Sequence, residues 1–269
     1  MKPVRFHHPD FCPTVTARQL SLEILEMLEG VGRFISSGGR SITWSGGYPS
    51  QGAYRTAVWR LRKAGLIAYR RSRGQSPVLI LTEEGTARLS DACRPERCWR
   101  RKWNGIWYVL AYDVPEKERP YREALRGFLK RLRMGRLQDS FWVSPWDIRA
   151  EYADLIEAGG VDEYAIMLEA QTVLGQGPEA IVRHAWAFDR LEAAHKWFLE
   201  ACAAQFLRVR GGHLPQTELL TLAREELTAY RAVMNDDPLL PRVLWPAGYR
   251  GPEVYAVHRE FQRAVARHL

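Results

Sequence analysis

A helix followed by a basic hairpin, in residues 50–85, constrains the fold of this chain more than any other segment. Apolar side chains recur three or four positions apart, at Tyr54, Ala57, Val58 and Leu61, which predicts an amphipathic helix over residues 51–63. Ser50 can cap its first turn, and Gly65 marks its end. The opposite face of this helix carries Gln51, Arg55, Thr56, Trp59, Arg60, Arg62 and Lys63.

Two short strands and a second helix should follow the first helix. Residues 66–69 and 77–81 are mainly apolar and suit strands. The turn between them is basic, and it contains Arg70, Arg71 and Arg73. A further helix should begin at Thr82-Glu83-Glu84-Gly85. This order predicts a winged helix-turn-helix, in which the exposed helix face enters the major groove and the basic hairpin meets phosphates.

Positive charge is concentrated in the first half of the chain. The formal net charge is +8, from 39 Lys and Arg residues and 31 Asp and Glu residues. Residues 1–100 hold 16 cations and 8 acids, residues 101–137 hold 10 and 4, and residues 138–269 hold 13 and 19. The net charges are therefore +8, +6 and −6, which sum to +8. A basic front and an acidic rear are typical of a nucleic-acid-binding arm joined to a body with another task.

After a basic link at residues 94–102, the pattern alternates between strands and helices. Buried strands are predicted at residues 106–112, 137–144 and 164–170. Helices are predicted between them, at residues 120–132 and 148–158, although the second segment could also begin as a short strand that leads into a helix. The order β-α-β-α-β favours a ferredoxin-like unit. From residue 179 onward the apolar periodicity is helical, over residues 191–206, 217–234 and 252–268.

We therefore predict an α+β protein of three domains. Residues 1–93 would form an N-terminal winged helix-turn-helix that binds DNA. Residues 94–178 would form a central ferredoxin-like domain that dimerises, through the strands at 106–112 and 137–143. Residues 179–269 would form a C-terminal helical domain.

Common catalytic motifs are missing from the sequence. It contains no G-x-x-x-x-G-K-[ST], no G-x-S-x-G and no H-E-x-x-H, so we predict no catalytic residues, no metal and no cofactor. No apolar run approaches the roughly 20 residues of a membrane span. Residues 1–13 lack the apolar core of a signal peptide. We expect a cytoplasmic protein that does not bind membranes.

Three groups of residues in the sequence carry a family resemblance. The first is the run from Ala53 to Leu61, followed by Gly65. The second is Tyr112-Asp113-Val114-Pro115 with the run from Gly135 to Pro145. The third is the run from Asp237 to Pro241, followed by Trp245-Pro246 and Gly251. Together they resemble the PaaX-type transcriptional repressors, known from control of phenylacetate degradation, over nearly the whole chain.

The resemblance implies a homodimeric repressor that binds a double-stranded DNA operator and is released by a small effector. In the type member of the family this effector is an aryl-acetyl coenzyme A, so an acyl-CoA is the effector that the resemblance implies. One difference is the Gly/Ser-rich run at residues 38–47, where the family has a helix before the recognition helix.

DNA contacts are assigned by position on the predicted winged helix. We expect five residues to face the groove, namely Gln51, Arg55, Thr56, Trp59 and Arg60. We expect five others to face phosphates, namely Arg62, Lys63, Arg70, Arg71 and Arg73.

The central unit is also similar to the small CRISPR adaptation endonuclease, whose fold is ferredoxin-like. Asp113 takes the place of that family's strand-end aspartate, which could share a metal with its twin in a symmetric dimer. Tyr112 and Val114 beside it cannot serve as ligands, and an aspartate before Pro115 can instead cap a turn. The alternative function is therefore a metal-dependent nuclease, or an adaptation-complex subunit with a fused winged helix.

Overall fold

The structure is a computed structural model that describes residues 24, 25, 28, 51–70, 78–89, 94–159, 164–173, 175–212 and 214–268. Its helices and its antiparallel sheets make the fold α+β, as predicted. The chain divides into two compact units. The first comprises residues 1–95, 194–235 and 250–269, and the second comprises residues 96–193 and 236–249.

Residues 51–87 of the first unit form elements in the predicted order. These are α1 (Gln51–Lys63), β1 (Ile67–Arg70), β2 (Val78–Leu81) and α2 (Glu83–Ala87). The two strands pair antiparallel, with Ile67 opposite Leu81. The bounds of α1 are those that the periodicity predicts, while Ser50, Arg71 and Arg73 lie outside the described residues.

A small apolar core supports α1. Ala57, Val58 and Leu61 are buried on its inner face. They pack against Ile67 and Leu79 of the hairpin and against the helical residues Ile24, Leu25 and Leu28. Burial of a side chain of this size contributes about 1.5–3 kcal/mol, so the inner face fixes how α1 is rotated. The polar face of α1 therefore points away from this core.

The second unit begins with α3 (Glu96–Trp99) and contains a four-stranded antiparallel sheet. Its elements are β3 (Trp107–Tyr112), α4 (Arg119–Arg131), β4 (Gly135–Gln138), β5 (Phe141–Ser144), α5 (Arg149–Gly159) and β6 (Ala165–Ala170). The strand order is β4-β5-β3-β6, so β3 and β5 are central and β4 and β6 are the two edges.

The single strand expected at residues 137–144 is in fact a hairpin, so the order of elements is β-α-β-β-α-β. Asp139 and Ser140 form the turn between β4 and β5, and the register shifts between Arg136 and Gln138. Aspartate and serine favour turns because their short polar side chains can bond the local backbone. The Tyr112 hydroxyl donates to the Asp139 carbonyl at 3.0 Å, which holds the turn against the end of β3. The prediction of one strand was wrong because the flanking residues alternate without a glycine or proline between them.

Both faces of the central strands are covered. On one face, Tyr108, Leu110 and Trp142 belong to a core with side chains of α4 and α5. On the other face, Trp107 and Val109 pack in a second core, with residues of the helix α6 (Pro178–Ala185) and of the segment 240–249. Burial on both faces explains why residues 106–112 are almost continuously apolar instead of alternating.

Gly135 follows helix α4 in the sequence, but it is required by packing and does not end that helix. Helix α4 ends at Arg131, and Arg133 supplies the left-handed conformation after it, with φ 57°. Gly135 is the first residue of β4, and an added Cβ would lie 2.6 Å from Ala185 Cβ and from the Trp186 ring. The glycine is therefore required for close packing of β4 on the end of α6.

The segment 236–249 belongs to the second unit and is organised around buried Asp237, whose backbone carbonyl accepts a hydrogen bond from Arg133 Nη1. Its carboxylate accepts hydrogen bonds from the Leu239 N–H at 2.8 Å and from the Tyr249 hydroxyl at 2.9 Å. The first bond closes a turn in which Leu239 has φ 50°. Burial and the neighbouring Asp237 charge raise the pKa of Tyr249, so its hydroxyl stays protonated as a donor.

Three further helices complete the described chain, namely α7 (Phe188–Arg210), α8 (Gln216–Asp236) and α9 (Gly251–Arg267). The end of α7 packs with α8 and α9 around Phe261 and Val265. A hydrogen bond of 2.8 Å joins the buried Glu226 carboxyl group of α8 to His258 Nδ1 of α9. The His258 ring stacks on Tyr230, with centroids 3.7 Å apart. None of the helices in the described residues is long and apolar enough to cross a membrane.

Candidate nucleic-acid interface

The outer face of α1 is cationic and exposed. Every predicted contact residue of α1 whose side chain is described lies on this face, namely Arg55, Thr56, Trp59, Arg60, Arg62 and Lys63. Trp59 is the large apolar side chain in this group, and 58% of its surface is exposed. A tryptophan so exposed on a helix that buries its smaller alanine and valine is available to a partner.

Positive charge on α1 is not neutralised by the helix itself. The helix has no acidic residue, and Arg60, Arg62 and Lys63 lie in its last turn, where the helix dipole favours cations. In the part of the chain that the structure describes, no carboxylate forms an ion pair with Arg55, Arg60, Arg62 or Lys63. The face therefore presents a positive potential suited to an anionic partner.

Two cations on this helix are oriented by aromatic rings. The Arg62 guanidinium carbon lies 4.7 Å from the centre of the Tyr69 ring on β1. The Lys63 ammonium lies 5.1 Å from the centre of the Trp59 ring. Contacts of this kind contribute about 0.5–1 kcal/mol at exposed sites, enough to restrict the rotamers of both cations. Tyr69 was not predicted as a site residue, although a tyrosine beside Arg70 in an exposed hairpin is a usable signal.

The end of α1 is a glycine cap that sets the path of the hairpin. Gly65 has φ 72°, a left-handed conformation that glycine adopts without strain. The Leu66 N–H donates to the Leu61 carbonyl at 3.0 Å, and the Gly65 N–H donates to the Arg62 carbonyl at 2.9 Å. These two bonds form a Schellman motif, with Leu66 and Leu61 in the same apolar cluster.

Thr82 and Gly85 fasten α2 to this cap. The Thr82 hydroxyl donates to the Gly65 carbonyl at 2.6 Å and accepts from the Gly85 N–H at 3.0 Å, so it caps α2 as well. A Cβ on Gly85 would lie 1.9 Å from the Leu66 carbonyl oxygen. The close approach requires glycine, and it fixes β1 and β2 between two anchored helix ends.

Four predicted contact residues are not among the side chains described on the exposed face of α1. Arg70 is the last residue of β1 and is exposed. Gln51 is the first residue of α1, but its side chain lies outside the described residues. Arg71 and Arg73 lie in the segment 71–77, which is also outside them. Their assignment to DNA stays a prediction from the sequence.

Asp113 lies just after β3 with an exposed side chain. Its N–H donates to the Tyr164 carbonyl at 2.7 Å, so the residue takes part in backbone pairing at the end of the sheet. Within the described ranges, no three His, Cys, Asp or Glu side chains are grouped as a metal site would need. One chain therefore offers a divalent cation at Asp113 few of the oxygen ligands that it requires.

Two family models match successive parts of the chain. The PaaX protein central Cas2-like domain matches residues 100–182, and the PaaX-like protein C-terminal domain matches residues 186–268. The first match covers the β-α-β-β-α-β unit and the second covers α7 to α9.

One curated relative and one solved structure are also similar to this chain. The transcriptional repressor PaaX of Escherichia coli (strain K12) is 28% identical over 218 residues, which are 73% of this chain and 63% of the repressor. The match thus spans less than two thirds of that repressor's length. The structure of an uncharacterised protein, Rv0674 from Mycobacterium tuberculosis, aligns with a TM-score of 0.56 and 21% identity, over 95% of this chain and 97% of that one. This likeness concerns the fold alone. The two successive domain matches show that the chain belongs to the PaaX-like family.

Proposed function

We propose that this protein is a transcriptional repressor that binds a double-stranded DNA operator through a winged helix-turn-helix built from α1, β1, β2 and α2. The exposed cationic face of α1 carries the proposal. Its rotation is fixed by a buried apolar face, its cations have no acidic partner among the described residues, and an anchored hairpin follows it. Membership of a family that includes a transcriptional repressor supports the same function.

The positions of the side chains on α1 divide the proposed contacts into two classes. Arg55, Thr56, Trp59 and Arg60, with Gln51, would face base edges in the major groove. An arginine that bonds both acceptors of a guanine contributes about 1–3 kcal/mol of base discrimination. Arg62, Lys63 and Arg70, with Arg71 and Arg73, would face phosphates, which position the protein without reading sequence.

A homodimer is part of the proposal because one winged helix covers only a half-site. The interface was predicted at residues 106–112 and 137–143. Strands β3 and β5 are each paired on both sides and leave no edge for another chain, while residues 137 and 138 belong to edge strand β4. Edge strand β6 is better suited. It exposes Ile166 and Leu168 by 58% and 47%, and a strand edge pairs with its own copy across a two-fold axis. We place the dimer contact there.

Release by a small effector such as an acyl-CoA rests on the family resemblance. The test is direct: an aryl-acetyl coenzyme A added to the DNA complex should lower the bound fraction, while free coenzyme A should not. Equal effects of the two compounds would contradict an acyl-specific effector.

Selection from a pool of random duplexes tests the proposed function itself. The full-length protein should enrich a sequence with two-fold symmetry, because a symmetric dimer presents two copies of α1. Sedimentation should show a dimer, and replacing Ile166 and Leu168 with Lys should shift it toward monomer. A pool that stays unenriched after repeated rounds would contradict sequence-specific binding.

Substitution of Asp113 separates the repressor from the nuclease alternative. Asp113→Ala keeps the backbone bond to Tyr164 and removes an exposed carboxylate, so we expect DNA affinity to be unchanged. We expect no cleavage of duplex or single-stranded nucleic acid with magnesium or manganese. Metal-dependent cleavage by the unchanged protein that Asp113→Ala abolishes would favour the nuclease.

A further inference from the structure

A second group of exposed cations lies in the second unit, at the end of α3. We call Arg97, Arg100, Arg101 and Lys102 the α3 basic patch; all four side chains are exposed. Over residues 96–102 these four cations stand against one acid, Glu96, which gives a net charge of +3 from +4 and −1. The neighbouring Cys98 and Trp99 are buried, so the short helix turns its apolar side inward and its cations outward.

This segment is held in place, although the sequence suggested a basic link. The Arg100 N–H donates to the Glu96 carbonyl and the Arg101 N–H to the Cys98 carbonyl, both at 3.0 Å. Buried Trp99 anchors the turn, because its Nε1 donates to the Tyr249 hydroxyl at 3.1 Å. That hydroxyl is itself bound to Asp237, in the segment 236–249 of the second unit.

A second tryptophan anchors the other end of the α3 basic patch. Trp103 Nε1 donates to the Ile106 carbonyl at 2.9 Å, and its ring lies 5.0 Å from that of Trp107. The four cations therefore project from a backbone fixed on both sides. Binding a partner therefore costs this segment less conformational entropy than it would cost a mobile linker.

Among the described residues, no acidic side chain neutralises the α3 basic patch. The Arg101 guanidinium carbon lies 5.2 Å from the centre of the Trp146 ring, and none of the four cations forms an ion pair with a carboxylate of the described residues. Asp147, next to that ring, is bound by Arg149, whose Nη2 donates to it at 2.6 Å. Its charge is thus compensated by a residue outside the patch.

We propose that the α3 basic patch is a second contact for the DNA backbone, binding phosphates whatever the base sequence. The proposal rests on the proposed DNA binding. Duplex DNA is the partner because it presents closely spaced anions to exposed cations whatever its sequence. Contacts of this class raise affinity equally for cognate and unrelated duplexes.

The salt dependence of binding tests this proposal. The variant Arg97→Gln/Arg100→Gln/Lys102→Gln leaves Arg101 on its ring and removes three charges. The matched control Lys117→Gln/Arg119→Gln/Lys130→Gln removes three exposed charges elsewhere in the same unit. Each phosphate contact contributes about 0.9 to the slope of log affinity against log salt, so the patch variant should flatten that slope by about 2–3 for each protomer bound. The control should leave the slope close to that of the unchanged protein.

The outcomes separate this inference from the proposed function. Equal slopes for the two triple variants would overturn the patch contact, and so would a loss confined to the cognate duplex. An unchanged protein that shows no preference for any selected duplex would instead contradict the proposed function. Unfolding midpoints of both variants should match that of the unchanged protein. If the triple variant fails to fold, Arg100→Gln/Lys102→Gln should flatten the slope by about 2 for each protomer bound, and an unaltered slope there also overturns the proposal.

Discussion

Helix α1 and the strands β3 and β5 both carry motifs that resemble the repressor family, yet they use those residues in opposite ways. In α1 the motif residues Arg55, Trp59 and Arg60 are exposed and make no ion pair with a described carboxylate. In the sheet, the large motif residues Tyr112 and Trp142 are buried, and so are Gly135 and the run from Val143 to Pro145.

The difference separates motifs that preserve a fold from motifs that meet a partner. Gly135 and Trp142 are required by close packing, which explains them without any ligand. No packing requirement explains an exposed tryptophan among cations on α1. We infer that the motif at residues 112–115 and 135–145 preserves the fold, and that binding to a partner depends on helix α1.

Trp142 should show the largest effect, on stability alone. Trp142→Ala should destabilise the second unit by about 3–5 kcal/mol, because it empties a large part of a closed core. Trp142→Phe should cost much less, since Trp142 Nε1 has no acceptor among the described residues and a phenyl ring fills most of the space. Urea unfolding measures both. Equal losses for the two variants would mean that the indole N–H is bound and that the ring volume is secondary.

Gly85 and Gly65 should separate a steric requirement from a conformational one at the base of the hairpin. Gly85→Ala places a Cβ against the Leu66 carbonyl and should cost about 3 kcal/mol. Gly65→Ala meets no atom within 4 Å, and its left-handed conformation should cost about 1 kcal/mol. Hydrogen exchange in residues 51–70 and 78–89 reports the loss. A larger effect at Gly65 would contradict the proposed clamp between α2 and the end of α1.

Glu226 should show the smallest effect, visible only as pH changes. Burial raises the pKa of Glu226 more strongly than His258 lowers it. The folded state therefore keeps a proton that the unfolded state loses, so stability should fall as the pH rises above about 4.5, the usual value for this group. Glu226→Gln removes this dependence and keeps an acceptor for His258. Unfolding free energies from pH 4.5 upward should diverge between the two proteins, and parallel curves would contradict the direction of the shift.

Local signals made α1 predictable, since its apolar period and the glycine after it are contained within fifteen residues. The α+β class and most helix bounds followed in the same way. Long-range contacts explain what was missed. The role of Gly135 depends on Trp186 and the edge position of β6 depends on the order of the whole sheet. The tryptophans that fix the α3 basic patch have partners as distant as Tyr249, which no local pattern indicates.

The preference of the protein for its selected duplex over an unrelated one tests the role of α1 most directly. Arg55→Ala/Arg60→Ala should reduce that preference at least tenfold, because each lost base contact costs about 1–3 kcal/mol. Arg263→Ala/Arg267→Ala removes two exposed cations from α9 and should leave the preference unchanged. If the α1 variant, folded and still bound to DNA, discriminates between the duplexes as well as the control does, α1 is not the element that reads the operator.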